Sequence, residues 1–193
     1  MKKEILFCAA LILCTTVFSQ QIHFGIDPGM AISRGSYKPS AGLDRRVFGG
    51  FDGGVLLEIG LAQKFMIQPE VNYSIIGVEL NDGVNEATIK LRYITVPVLA
   101  KVSVSRKFNL FAGPQAGFLT WAKRDSSFTS EMVDLKQDFK SGDFGLVFGG
   151  EYKFTRHIFL GTRYNLGLHQ IAKDWNNFEM RNRYVSFRIG YVF

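Results

Sequence analysis

Cysteine and histidine are scarce in this sequence, and long apolar runs are missing from most of it. The two cysteines, Cys8 and Cys14, both lie near the N-terminus, and the histidines are His23, His157 and His169. Beyond Cys14 no apolar stretch approaches the roughly 20 residues that a membrane-spanning helix needs. If the N-terminal segment is removed, the rest of the chain has no thiol for a disulfide, a nucleophile or a Cys-ligated metal.

The N-terminus has the pattern of a secretory signal peptide. Two lysines precede an apolar run that begins at Ile5 and ends at Cys14, and the small residue Ser19 closes the segment. The run is too short to cross a bilayer as a helix. We therefore predict cleavage after Ser19, with residues 1–19 as the signal peptide and residues 20–193 as the mature domain.

The formal net charge of +6 does not by itself identify a partner. Lysines and arginines are interspersed with acids, and they form neither a basic block nor a recognisable nucleic-acid-binding motif. We therefore expect a mixed, solvated surface and no nucleic-acid partner. An additional use of the basic residues is contact with outer-membrane lipid and anionic lipopolysaccharide.

Aromatic residues and glycine are abundant, and apolar residues alternate with polar ones or glycine. The chain has 18 Phe and 20 Gly. In the last segment Val185, Phe187 and Ile189 fall on one face of a strand, while Ser186 and Arg188 fall on the other. The same period of two predicts eight strands, over residues 22–32, 51–61, 67–75, 91–104, 108–118, 143–153, 160–169 and 184–193.

The connections between these strands alternate between short and long. Tight turns are expected at residues 63–64, 105–107 and 155–157, and long polar loops at residues 34–47, 78–88, 122–140 and 171–182. Short turns on one rim and long loops on the other are typical of outer-membrane barrels, whose short turns face the periplasm. We predict an all-β, eight-stranded antiparallel up-and-down transmembrane β-barrel in the cell outer membrane, with strand 1 paired to strand 8 and both termini periplasmic.

Periodicity alone does not say which face meets lipid, because a soluble barrel would hide the apolar set. Two features favour the membrane: the Gly-rich polar set suits the narrow interior of eight strands, and aromatic residues cluster near strand ends, as in membrane girdles. The end of the chain also resembles the signal that the barrel-assembly machinery reads during insertion. That predicted signal consists of Phe187, Ile189, Tyr191 and Phe193.

Ten charged side chains would then point into the barrel. Isolated buried charges are costly, so we expect these groups to pair in a structural network. The alternative is a narrow porin-like channel, for which a barrel of this size leaves little room. The ten residues are Asp27, Asp52, Glu58, Glu70, Lys101, Asp143, Glu151, Lys153, Arg163 and Arg188.

No catalytic constellation stands out. His169 with Asp174 comes closest to a catalytic pair, and no nucleophile pattern accompanies it. The glycine-rich stretch at residues 142–150 lacks the Lys-Ser/Thr of a phosphate-binding loop, and no metal-ligand spacing occurs. We expect no enzyme activity, no cofactor and no metal; the alternative is a barrel-embedded lipid-modifying enzyme.

Several stretches resemble the outer-membrane β-barrel domain of Bacteroidota, often described as PorT-like or porin-family. They cover residues 67–77, 91–102, 111–119, 142–152, 163–168 and 187–193. The resemblance implies the barrel fold and the outer membrane; the namesake of that family is implicated in type IX secretion. Thr95 departs from the family pattern, which commonly has a carboxylate there, so one interior charge partner is expected to be missing.

The predicted role is that of a non-enzymatic scaffold or binding barrel. It would act through its extracellular loops or support envelope or secretion machinery. Long loops on a rigid scaffold commonly carry function. The loop at residues 122–140, with Trp121 at its base, is therefore the predicted contact surface.

Overall fold

The computed structural model describes residues 22–33, 36–38, 44–81, 86–126, 129–173 and 179–193. The predicted signal peptide, with both cysteines, and Asp174 lie outside these residues. No helix among the described residues is long and apolar enough to cross a membrane.

The described residues form strands almost throughout. A 3₁₀ helix at Lys136–Asp138 lies between β9 and β10. The strands are β1 (Ile22–Ile26), β2 (Gly29–Ser33), β3 (Ser36–Lys38), β4 (Asp44–Arg46), β5 (Phe48–Ala62), β6 (Phe65–Asn81), β7 (Glu86–Ser103), β8 (Phe108–Ser126), β9 (Thr129–Asp134), β10 (Gly142–Lys153), β11 (Ile158–Gly167), β12 (Glu179–Arg181) and β13 (Arg183–Val192).

The long strands form a closed antiparallel ring of eight walls. The first wall consists of β1 and β2 end to end, and the others are β5, β6, β7, β8, β10, β11 and β13 in chain order. The last wall returns to the first, because β13 pairs with both β1 and β2, for example Gly25 with Val192 and Met30 with Phe187. The predicted eight-stranded barrel and its closure between first and last strands are therefore confirmed.

The first wall is interrupted at Asp27 and Pro28, because proline has no N–H to give to a ladder. Hydrogen bonds continue on either side of the break. Asp27 N–H donates to Gly54 O at 3.0 Å, and Ile189 N–H donates to Pro28 O at 3.0 Å. The barrel thus stays paired, and the Asp27 side chain is fully buried inside it.

Apolar side chains cover the outside of the barrel. On β8 the exposed apolar residues run from Phe108 to Phe118. At about 3.3 Å per residue and a tilt of about 40°, this stretch is about 25 Å tall, the height of a membrane-facing band. Aromatic pairs mark its lower edge near the tight turns, where Phe24 stacks on Phe193 with ring centroids 5.7 Å apart.

The predicted loops are wrong in part, because strands continue through much of them. The β6–β7 ladder extends to Asn81 paired with Glu86, and β8 reaches Ser126. Above the band the alternation reverses its phase: on β7, Ile89 and Leu91 point inward, while Lys90 and Arg92 lie on the outer face. The apolar residues on the outer face therefore end before the strands do.

The loop end of the barrel is covered by a folded cap, which we define as β9, Leu135, the 3₁₀ helix and residues 139–140, 171–173 and 179–181. Strand β9 pairs with β8, β12 pairs with β3, and Phe139 bridges to Ala172. Their apolar side chains form one cluster with the inward residues of the outer strand ends. Its members include Ile76, Val78, Ile89, Leu91, Leu119, Leu135, Phe139, Ile171 and Met180.

Large apolar side chains also fill part of the interior, which the sequence predicted to be charged and Gly-lined. The ring of Phe159 is buried and lies over Gly190, its cross-strand partner, where any Cβ would collide with the ring. Phe111 lies against Gly149 in a similar way. Glycine is needed at position 190 because the Phe159 ring occupies the space of a side chain, and at position 149 because the Thr162 carbonyl oxygen and the Phe111 ring both lie within 3 Å of a Cβ.

Candidate functional site

The lower part of the barrel interior holds a cluster centred on Lys101. Its Nζ atom donates to Glu58 Oε1 and to Glu151 Oε2, each at 2.7 Å. Asn109 Nδ2 donates to the other oxygen of Glu151 at 2.7 Å, and Lys153 Nζ lies 3.5 Å from Glu58 Oε2. The two carboxylates and the two ammonium groups thus balance one another in charge, with Lys101 buried and Lys153 at the turn-end rim.

A second cluster lies above the first and contains two arginines. Arg163 donates to Glu70 at 2.7 Å and to Asp27 at 3.0 Å. Arg188 donates to Asp27 at 2.8 Å and, through both Nε and Nη2, to Oδ2 of Asp52. Charge-assisted bonds of this kind are the strong ones, and each arginine links walls that are not neighbours in the ring.

Neutral side chains that were not predicted as site residues orient these carboxylates. Gln68 and Asn72 donate to the two oxygens of Glu70 at 2.6 and 2.9 Å, and Ser74 donates to Asp52 at 2.6 Å. All three lie on the inward face of β6, at even-numbered positions that they share with Glu70. That shared parity was the signal that could have identified them.

Nine of the ten predicted interior charges join these two clusters, and Asp143 does not. Its Oδ2 atom accepts a hydrogen bond from Asn182 at 2.8 Å, on the loop side of the arginines. Asn165 and Thr95 line a cavity of about 10 Å³ beside it, and their side-chain polar atoms have no hydrogen-bond partner among the described residues. A cavity of that size has room for about one water molecule.

Thr95, where the resembled family commonly has a carboxylate, takes no part in either charge cluster. It is buried on β7, opposite Gly117 of β8. The polar neighbours in this layer are the amide of Asn165 and the carboxyl of Asp143 rather than a cation. The upper interior between the arginine cluster and the cap is therefore a polar layer in which the cavity lining includes one carboxyl group and no arginine or lysine.

The three histidines lie at separate places in the barrel. The His157 ring stacks on Tyr191 with centroids 5.6 Å apart, and its Nδ1 lies 2.8 Å from Val192 O at the turn end. His169 lies at the opposite end, and His23 is exposed on β1. Within the described ranges no group of three His, Cys, Asp or Glu side chains is placed to hold a metal ion.

The four residues of the predicted assembly signal lie on the outer face of the last wall. Phe187, Ile189, Tyr191 and Phe193 are each exposed over more than two fifths of their surface. Phe193 N–H donates to Phe24 O at 2.8 Å, so the chain end is tied to the first wall. These side chains are presented outward and are not needed to fill the interior.

A basic patch surrounds Trp121 on the outer face, just above the apolar band; we call Lys90, Arg92, Trp121 and Lys123 the tryptophan patch. The Arg92 guanidinium lies 4.2 Å and the Lys123 ammonium 5.3 Å from the centre of the indole ring. Lys90 is the cross-strand partner of Lys123 and lies 3.7 Å from the exposed Asp125. Two cations thus share one aromatic ring, an attractive arrangement for each of them.

Comparison with known proteins identifies the same architecture elsewhere. The sequence model described as "Outer membrane protein beta-barrel domain" matches residues 18–173. Neisserial surface protein A is similar in structure with a TM-score of 0.54 and 16% identity, over 88% of this chain and 95% of that one. Ail, the attachment invasion locus protein of Yersinia pestis, has a TM-score of 0.50 and 15% identity, over 89% of this chain and 98% of that one. At such identities the likeness shows the fold alone. A comparison with curated protein sequences finds no match.

Proposed function

Because the chain belongs to the outer membrane protein beta-barrel domain family, we propose that it is a closed, non-enzymatic scaffold whose folded loop end binds a partner outside the cell or supports envelope machinery. The protein is an outer-membrane β-barrel. The observation that carries the proposed role is the cap, because it gives the loop end a packed surface of its own. Rigid surfaces of this kind bind partners with less ordering cost than flexible loops.

The filled interior supports a scaffold over a channel. Lys101, Glu151, Arg163 and Arg188 are each at most 4% exposed, and the cap cluster lies above them. An ion entering this interior would have to displace hydrogen bonds that hold buried charges, at a cost of several kcal/mol each. This arrangement favours charges that hold the walls together over charges that line a conduction path.

The orientation in this proposal has the cap outside the cell and both termini in the periplasm. It is supported by the contrast between tight turns at one end and the long, folded connections at the other, which is the usual asymmetry of such barrels. The end of β13 and the start of β1 both lie at the turn end. Labelling of Lys136 and Lys173, both exposed in the cap, by an impermeant reagent on intact cells tests this orientation.

Lipopolysaccharide is the proposed lipid partner at the loop end. The tryptophan patch supports this, since it combines three cations with an indole just above the apolar band. Ile94 and Phe118, which are cross-strand partners, begin that band directly below it. Phosphate groups on a lipid headgroup would meet the cations while the acyl chains lie along the band.

The finer resemblance to PorT-like barrels of Bacteroidota remains a prediction. Its support is the order of the six matching stretches along the chain. A part in type IX secretion would require a partner from that machinery at the cap or at the turn end. Cross-linking from the cap, followed by pull-down from native outer membrane, tests for such a partner.

Three measurements test the scaffold proposal. In planar bilayers the purified barrel is expected to show no steady conductance, whereas a stable conductance that disappears in an Arg163→Ala variant would establish the channel instead. In cells, photo-cross-linkers at Val133 and Lys136 are expected to capture a discrete partner. A lipid hydrolase activity lost on substitution of His169 would contradict the non-enzymatic assignment.

A further inference from the structure

The tight turns after β7 and β10 share one local structure. In the first, Ser105 Oγ accepts hydrogen bonds from the N–H groups of Lys107 and Phe108 at 3.3 and 3.1 Å. In the second, Thr155 Oγ1 accepts from His157 and Ile158 at 3.2 and 2.9 Å. Because side-chain oxygens hold the backbone in this way, both turns are rigid. An arginine directly follows each of these hydroxyl residues, Arg106 after Ser105 and Arg156 after Thr155.

These two turns are neighbours on the rim and present cations to the outside. Lys153 N–H, at the end of β10, donates to Lys107 O at 2.7 Å and so joins the first turn to the second. Arg106, Lys107 and Arg156 are exposed, and none of them forms an ion pair with another described residue. We call these three residues the rim cations.

An apolar groove begins directly above the rim cations on the outer face of the barrel. Its volume is about 670 Å³, within the range of small-molecule and lipid sites. Gly150 and Thr162 are cross-strand partners in its floor, and their small side chains create the depression. The walls include Phe108, Leu110, Tyr152, Leu160 and Phe187.

The position of the rim cations relative to the groove indicates what they meet. Phe108 directly follows Lys107, and Phe154 directly precedes Thr155 of the second turn. Both aromatic rings are exposed. Exposed aromatic rings of this kind lie at the membrane interface, so the cations one or two residues away are at the level of lipid phosphates. The neighbouring carboxylates do not neutralise them, because Glu151 points inward to Lys101 and the C-terminal residue Phe193 lies beyond His157 on the rim.

We propose that this part of the barrel is a binding site for an anionic phospholipid. The phosphate binds among Arg106, Lys107 and Arg156, and one acyl chain lies in the groove over Gly150. The occupant is a lipid rather than a soluble phosphate, since the basic mouth and the apolar groove are continuous. The site does not depend on the proposed role of the cap, which lies at the opposite end.

The test compares lipids that differ only in headgroup charge. Dioleoyl phosphatidylglycerol and dioleoyl phosphatidylcholine are titrated into the full barrel in detergent, and bound lipid is counted by native mass spectrometry. Each basic residue near an anionic lipid contributes about fivefold in affinity at low salt. A variant with Arg106→Gln, Lys107→Gln and Arg156→Gln is therefore expected to lose about 100-fold in phosphatidylglycerol affinity and most of the preference over phosphatidylcholine.

Variants of the groove test the acyl-chain half of the site. Gly150→Leu is expected to weaken binding of both lipids, because the new side chain occupies the floor. Thr162→Leu fills the same depression from β11 and serves where Gly150→Leu does not fold. The matched control changes three exposed cations at the cap end, Arg124→Gln, Lys136→Gln and Lys173→Gln, and is expected to leave phosphatidylglycerol binding unchanged.

Three outcomes would overturn the proposal. The first is equal binding of the two lipids by the unaltered barrel. The second is an equal loss of affinity in the control variant, which would show a general charge effect. The third is competition by inorganic phosphate together with unaltered binding in the groove variants, which would make this a site for soluble phosphate.

Discussion

The ammonium nitrogen of Lys101 lies 2.7 Å from Oε2 of Glu151, although the whole of β8 separates their strands in the wall. Lys101 reaches Glu58 on its other side at the same distance. One cation therefore joins β5, β7 and β10 through the interior. These ion pairs connect walls that share no hydrogen-bonded ladder.

Removal of the Lys101 charge is expected to destabilise the barrel strongly. Lys101→Met leaves Glu58 and Glu151 buried without their cation, and breaking a buried pair in this way costs about 3–5 kcal/mol. The measurement is urea unfolding of the barrel in lipid vesicles. Adding Glu58→Gln and Glu151→Gln to Lys101→Met is expected to recover much of the loss, because no buried charge of this cluster is then left unpaired and Lys153, which loses Glu58, is partly exposed at the rim.

Lys136→Met is the matched control, since Lys136 is exposed on the 3₁₀ helix. Exposed substitutions of this kind change stability by about 0.5 kcal/mol or less. An equal effect of the two lysine variants would mean that the interior network does not hold the walls together.

A methyl group at Gly190 is expected to destabilise the barrel through its partner ring. Any Cβ there collides with Phe159, and overpacking of this kind costs about 1–3 kcal/mol. Gly142→Ala is the control, because nothing lies within 4 Å of a Cβ at that position. In a double-mutant cycle, Phe159→Leu should remove most of the penalty of Gly190→Ala; additive effects would contradict the contact.

The sequence was sufficient to predict the eight walls because every wall alternates in the same phase within the apolar band. It also assigned Lys101 and Arg163 to the inward face, since they share that parity. The partners of Lys101 could not be predicted, because Glu58 and Glu151 come from walls two places away. Alternation shows which face a side chain is on, but it does not show which side chains of distant walls lie at the same level of the interior. The same limit hid the roles of Gln68 and Ser74.

The cap was missed for a different physical reason. At the upper edge of the band the solvent outside changes from lipid to water, and the apolar face of each strand turns inward. On β7 the apolar Leu91 points inward and Lys90 outward above the band, whereas within the band the apolar Ile94 points outward and Thr95 inward. Strand residues above the band therefore have polar side chains on the outer face, and their sequence resembles that of a polar loop.

Truncation of Phe139 is expected to loosen the cap and leave the barrel intact. Phe139 is buried against the cap cluster and bridges to Ala172, and loss of a buried Phe side chain costs about 3–5 kcal/mol. In Phe139→Ala, amide hydrogen exchange should accelerate in residues 133–140 and 171–173 and remain slow in β10 and β11. Val133→Ala, at a half-exposed position of the cap, is the control, and faster exchange throughout the barrel would show that cap and barrel fold as one unit.

Neutralisation of the tryptophan patch is expected to weaken binding of lipopolysaccharide. Arg92→Gln with Lys123→Gln removes the two cations on the indole ring, and about 1 kcal/mol for each charge predicts a loss of about 30-fold at low salt. Surface plasmon resonance on immobilised barrel measures this affinity. Arg124→Gln is the control because Arg124 is exposed on the same strand. A loss as large in the control, or affinity that is independent of salt in the unaltered barrel, would argue against phosphate recognition by the patch.

Phe193→Ala separates recognition of the chain end by the assembly machinery from the stability of the folded barrel. The Phe193 side chain is 61% exposed on the outer face, and its backbone N–H bond to Phe24 does not depend on the ring. Loss of the ring therefore removes little beyond its contacts with the Phe24 and Tyr191 rings, so the purified variant should refold in detergent with a free energy of unfolding within about 2 kcal/mol of the unaltered barrel. In cells, by contrast, the amount of heat-modifiable, folded protein in the outer membrane should fall well below that of the unaltered barrel.

Phe154→Ala is the matched control, since Phe154 is a similarly exposed ring at the turn end and lies outside the terminal strand. Equal assembly of the two variants in cells would show that the terminal residue is not part of the signal, because both have lost the same interfacial surface.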